Sequence, residues 1–233
     1  MRMISWWTVL PLAIVAWAFW AVLSRFLVDI EISLRSDLAQ APGARQDVDD
    51  YLRRGFSQVA ASDVATGGHD TIFSYLLSAD GRTYAVATDK VRCVASAFGE
   101  RVMVSISHAA TPVPPLELRQ RVVTGGVDEL LGAHEAALAV LAGNGLHPDP
   151  LRPQRVAPFS IWIDRVSMDH LVGHKAEFGL SMLWKMLSLP PRNASLIKAD
   201  RRTAVRIERW KASAVPIAKS SFEGNFRTRG RGH

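Results

Sequence analysis

Met3 to Ser24 is a run of 22 consecutive residues without a charge, bracketed by Arg2 and Arg25. As a helix rising ~1.5 Å per residue it would cover about 33 Å, enough for a bilayer core of roughly 30 Å. Trp6 and Trp7 stand near one end and Trp20 near the other. Indole rings favour the headgroup level, so these three are the expected interface anchors. Pro11 lies inside the run, a kink that membrane helices tolerate. A cleaved signal peptide fits less well, because its apolar core is normally ~7–15 residues and ends in a small-x-small site. The stretch Phe19 to Ser24 offers no such site. Residues 1–25 are therefore expected to be an uncleaved transmembrane signal-anchor, with the bilayer as its partner.

Orientation rests on little. Arg2 and the terminal amine on one side nearly balance Arg25 and Arg35 on the other, and acidic residues hardly count in the positive-inside rule. A short head before a large domain favours a non-cytoplasmic domain, periplasmic or extracellular. The opposite orientation stays open.

Behind the anchor, residues 26–191 read as a mixed α+β soluble domain, with a lobe boundary near residue 112 in the Pro-rich stretch Thr111 to Pro115. Val28 to Arg35 alternates apolar and polar residues, the period of a half-buried strand. Val48, Leu52, Phe56 and Val59 follow helical spacing, which predicts an amphipathic helix over Ala44 to Ser62. Thr71 to Ser78 and Arg82 to Thr88 are strand-like and joined by Ala79-Asp80-Gly81, a hairpin signal. Val91 to Phe98 is ambiguous, while Val102 to Ile106 and Leu116 to Val123 read as strands. Val127 to Ala142 is Leu- and Ala-rich, has Asp128 and Glu129 in its first turn and stops at Gly143-Asn144-Gly145, so it reads as a helix. Phe159 to Ile163 alternates as a strand would, and Met168 to Leu187 reads as a second helix ended by Pro190-Pro191.

Charge is distributed unevenly. The 233-residue chain has 28 Lys and Arg against 22 Asp and Glu. Residues 192–233 hold eleven of the cations and three of the acids, net +8, which leaves −2 on the rest. The C-terminal segment divides into a basic extension, 192–218, and a basic tail, 219–233. The tail is poor in apolar residues and rich in Ser, Gly and Arg, a composition that predicts disorder. Arg201, Arg202, Arg206, Arg209, Arg227, Arg229 and Arg231 are the candidate contacts for an electrostatic partner, either nucleic acid or anionic lipid.

Candidate chemistry is sparse. His170, His174 and Glu177 stand at i, i+4 and i+7, one face of a helix, and form a possible zinc set. The glutamate that follows the first histidine in zinc proteases is missing. His134-Glu135 reads as a surface pair on its helix, and the single Cys93, among Val91, Val94 and Phe98, as a small buried hydrophobe. Asn193-Ala194-Ser195 matches a glycosylation acceptor, a short and frequent pattern. There is no nucleophile elbow, phosphate-binding loop or dinucleotide fingerprint. The expected function is a membrane-anchored, non-catalytic scaffold or accessory subunit that meets a protein partner in a membrane assembly. The secretion, pilus or conjugation type follows from architecture alone. The alternatives are a cytoplasm-facing protein whose tail binds nucleic acid or anionic lipid, and a metal-dependent enzyme at His170, His174 and Glu177.

Overall fold

The computed structural model describes residues 30–66, 69–89, 91–107, 113–123, 125–173 and 196–213. Among these no helix is long and apolar enough to cross a membrane. The Met3–Ser24 run, with Trp6, Trp7 and Trp20, lies outside the described residues.

Seven strands form one sheet in sequence order: β1 (Ile30–Leu34), β2 (Ser57–Thr66), β3 (His69–Leu77), β4 (Tyr84–Ala87), β5 (Arg92–Phe98), β6 (Arg101–Ile106) and β7 (Glu117–Arg121). Strands β1 to β6 are an antiparallel meander, and β7 pairs parallel to β6 with Val102 opposite Glu117. The segments on either side of the Pro-rich stretch thus enter one sheet. The four helices among the described residues are α1 (Arg45–Arg53), α2 (Val127–Gly143), α3 (Pro153–Gly173) and α4 (Arg201–Ala212), and one 3-10 turn, Pro42–Ala44, leads into α1. The domain is mixed α+β, as its sequence pattern predicts.

Alternation along the strands gives the sheet two apolar faces. Tyr75, Leu77, Tyr84, Val86, Ala95 and Val104 point to the face covered by α3, through Val156, Phe159, Ile163 and Val166. Leu76, Ala85, Val94, Met103 and Leu118 point to the other, covered by α1, α2 and α4. Two covered faces explain why the central strands read as apolar runs. β4, for example, is Tyr-Ala-Val-Ala and buried throughout.

Two sequence expectations are corrected. The helix predicted over Ala44 to Ser62 ends at Arg53, and Ser57 already belongs to β2. Gly55, at φ +82°, is the reason. Its N–H bonds to Leu52 O at 3.0 Å, and the Phe56 N–H bonds to Tyr51 O at 3.1 Å. That pair of bonds is a Schellman stop, sealed by ring contact between Phe56 and Tyr51 at 5.4 Å. The same device closes α2, where Gly145 and Leu146 donate to Ala142 O and Leu141 O.

Phe159 to Ile163 is helical, inside α3, rather than a strand. Val156, Ala157, Phe159, Ser160, Ile161 and Ile163 are all buried and the outward positions between them are Pro158 and Trp162, so no exposed polar residue marks the helical period within this stretch. Ala204 to Trp210 lies within helix α4. Its inward stripe is Thr203, Ile207 and Trp210, at i, i+4 and i+7. The helix predicted from Met168 to Leu187 is described only as far as Gly173, where it is the end of α3.

Candidate functional site: a basic C-terminal helix on a buried polar chain

The basic extension is built into the domain through α4. Asp200 caps its N-terminus, accepting from the Thr203 N–H at 2.7 Å. At the other end the carbonyls left open by the last turn are collected by one side chain from β6. Arg101 donates from Nε to Trp210 O at 2.9 Å, and from Nη2 to Lys211 O at 2.9 Å and Ser213 O at 2.6 Å. A guanidinium also brings positive charge to the negative end of the helix. Trp210 is 4% exposed, stacks edge-on against Phe98 at 5.4 Å and donates Nε1–H to Leu116 O at 2.9 Å. Arg206 is half-buried and donates to Arg119 O of β7 at 2.8 Å. With one face fixed in this way, Arg201, Arg202, Arg209 and Lys211 are exposed. Among the predicted basic contacts, Arg206 is therefore turned to the sheet edge, while Arg227, Arg229 and Arg231 lie outside the described residues.

Beneath α2 and α4 runs a chain of polar side chains inside the apolar layer. His134, read from sequence as a surface residue, is 1% exposed. Its Nδ1 is 2.9 Å from Ser105 Oγ and its Nε2 is 3.0 Å from Ser96 Oγ. Ser105 Oγ also accepts from Gln120 Nε2 at 2.8 Å, and Ser96 Oγ lies 3.3 Å from Thr83 Oγ1. Gln120 in turn donates to Ala133 O and accepts the Ile197 N–H at 3.1 Å. One assignment of hydrogens gives each an acceptor. Gln120 donates to Ser105, Ser105 to Nδ1 of a neutral imidazole, Nε2–H to Ser96, and Ser96 to Thr83. An imidazolium would direct a second hydrogen at Ser105 and leave the Ser105 hydroxyl without an acceptor. Burial accordingly lowers the His134 pKa from 6.5 to about 3. The chain joins β5, β6, β7, α2 and the turn before β4 to the segment that leads into α4.

The signal for His134 was present in the sequence. Leu130, His134, Ala137 and Leu141 recur at i, i+4, i+7 and i+11 and form the buried stripe of α2. The serines could not be matched to it without the strand pairing.

A second charged group lies on the opposite face. Glu117 and Arg119 form a buried ion pair, with Nη2 to Oε2 at 2.6 Å. Asp164 of α3 is pushed up to about 7 by burial and by the charge of Glu117, with Arg119 pulling the other way. Cys93 is partly buried against the same core, and burial raises its thiol pKa, which withholds the thiolate a nucleophile needs.

Of the predicted zinc set only His170 is described, in the last turn of α3, and His174 and Glu177 lie outside the described residues. No group of three His, Cys, Asp or Glu that could hold a metal occurs among the described residues. A depression of about 530 Å³ between the end of α1 and the start of α2 is lined by Asp50, Arg53, Arg54 and Asp128, among others. Its arginines are matched by acids: Arg54 meets Asp128 at 2.5 Å and Arg53 meets Asp50.

Comparison with protein-family models, with curated proteins and with solved structures finds no match to this chain. The functional reading therefore rests on the residues themselves. Two sets of described polar groups stand out: an inward one centred on His134 and on Glu117 with Arg119, and an outward basic one on a helix clamped at both ends.

Proposed function

We propose that this protein is a membrane-anchored, non-catalytic accessory subunit, in which residues 1–25 tether a rigid α+β domain to a bilayer and the domain presents its basic C-terminal helix to a partner. The observation that carries the reading is the clamp on α4. Arg101 holds three C-terminal carbonyls and Asp200 caps the N-terminus, so the outer arginines sit on a rigid support. A tether adds effective concentration near such a partner, and a preorganised surface lowers the ordering entropy of binding. The 22-residue uncharged run supports the tether.

Alkaline carbonate extraction of membranes from cells making the full chain tests the tether. The full chain stays in the pellet, and a chain lacking residues 1–25 moves to the supernatant. Release of the full chain overturns the reading. A C-terminal topology reporter then fixes the side. A non-cytoplasmic C-terminus suits a subunit of an envelope assembly. A cytoplasmic one favours the second reading, supported by the exposed Arg201, Arg202 and Arg209, of a protein that engages nucleic acid or the anionic inner leaflet.

A further inference from the structure

A helix with three residues turned inward leaves a defined outer stripe. At 3.6 residues per turn, the inward Thr203, Ile207 and Trp210 place Arg201, Val205, Glu208, Arg209 and Ala212 on the far side, with Arg202 on its flank. Glu208, the one acid within α4, is matched by Lys211 at 3.0 Å. The outer stripe is thus positive, and at its centre stands Val205, one of the few large apolar side chains exposed among the described residues, at 45%.

Two features separate a lipid surface from a single-stranded nucleic acid here. Binding to single strands depends on aromatic rings that stack on bases, and the aromatic residue of this helix, Trp210, is locked inward against Phe98 and Leu116. Interfacial helices combine cations at headgroup level with an apolar residue pointing toward the acyl boundary. Arg201, Arg202 and Arg209 around Val205 have that arrangement.

We propose that the outer face of α4 docks on an anionic lipid surface, with the three arginines on headgroup phosphates and Val205 at the boundary. The proposal rests on the membrane-anchored reading for its setting, since the tether brings the helix to a bilayer. The contact is held by charge and is weakened by salt.

The test uses the full chain with Val205→Cys, an environment-sensitive fluorophore on that cysteine, and Cys93→Ala to remove the competing thiol. The chain is offered to nanodiscs of phosphatidylcholine and to nanodiscs containing phosphatidylglycerol. Retention by both disc types on size exclusion reads the tether. Fluorophore emission and quenching by neutral acrylamide read the helix. The expected result is a blue shift and protection in phosphatidylglycerol discs only, reversed by salt. Each of Arg201→Gln, Arg202→Gln and Arg209→Gln lowers the docking equilibrium constant about fivefold. Retention by phosphatidylglycerol discs alone, lost in the triple variant, removes the tether and leaves the helix proposal standing. Equal quenching in the two lipid compositions overturns it. So does a label that responds to a DNA oligonucleotide and is indifferent to lipid, which gives the surface to nucleic acid.

Discussion

His134 and Tyr51 show how two buried polar side chains in one layer can have opposite values for stability. Both ring nitrogens of His134 are matched by serine hydroxyls, so His134→Ala takes the acceptor from the Ser105 hydroxyl and the donor from Ser96 beside a new cavity. A loss of about 2–4 kcal/mol is expected, read as a lower urea midpoint for the full chain in detergent micelles. The Tyr51 hydroxyl is buried without a hydrogen-bond partner among the described residues. Its removal in Tyr51→Phe costs no bond and relieves a desolvation penalty, so the same measurement should show a change from zero to a gain of about 1 kcal/mol. A midpoint lowered by Tyr51→Phe would mean that the hydroxyl is satisfied. At this scale the sequence identified Cys93 as a small packed residue and misjudged His134. Neighbouring Glu135 is polar and on the outer side of the turn, which gave the pair the look of a surface feature. The register of Leu130, Ala137 and Leu141 was the better guide.

The elements were legible where one face is wet and obscure where both are covered. The hairpin β3–β4 and helix α2 follow from Asp80-Gly81 and from the acid-first, glycine-last signature of α2. Helix α1 is shorter than its sequence pattern because Phe56 and Val59 continue the spacing of Val48 and Leu52 past its end at Arg53. Gly55 behind Arg53 and Arg54 was the stop signal. Helix α4 depends on a side chain 109 residues away: Arg101 to Trp210 O is a bond no local pattern contains. Arg101→Ala should fray its last turn. Amide exchange over residues 206–213 is expected to quicken about 10- to 100-fold while α2 is unchanged. Uniform protection across α4 in that variant would show that Trp210 and Ile207 hold the helix by packing alone.

For the whole molecule the two faces of the sheet respond to pH in opposite directions. His134 binds a proton near pH 3 in the folded state and near 6.5 when free, so its contribution is lost as pH falls below 6.5, by up to about 1.4 kcal/mol per unit. Asp164 keeps its proton to about 7 when folded and releases it near 3.8 when free, so stability falls as pH rises between those values. From about pH 4 to 6.5 the two slopes oppose each other. Asp164→Asn removes one of them. Its urea unfolding free energy should climb more steeply with pH over that window than the parent's and end higher at pH 7.5. Parallel curves for the two proteins would show that Asp164 titrates near its ordinary value.

The sequence by itself determined the mixed α+β class, most strand positions, the uncharged run at Met3–Ser24 and the concentration of positive charge after residue 191, because these are properties of local period and composition. Only the tertiary structure decided that part of the basic segment is a clamped helix, that Arg206 turns inward and that His134 links two strands to a helix. Each of these depends on hydrogen bonds between residues far apart in the chain, and such bonds exist only once the sheet has set its register.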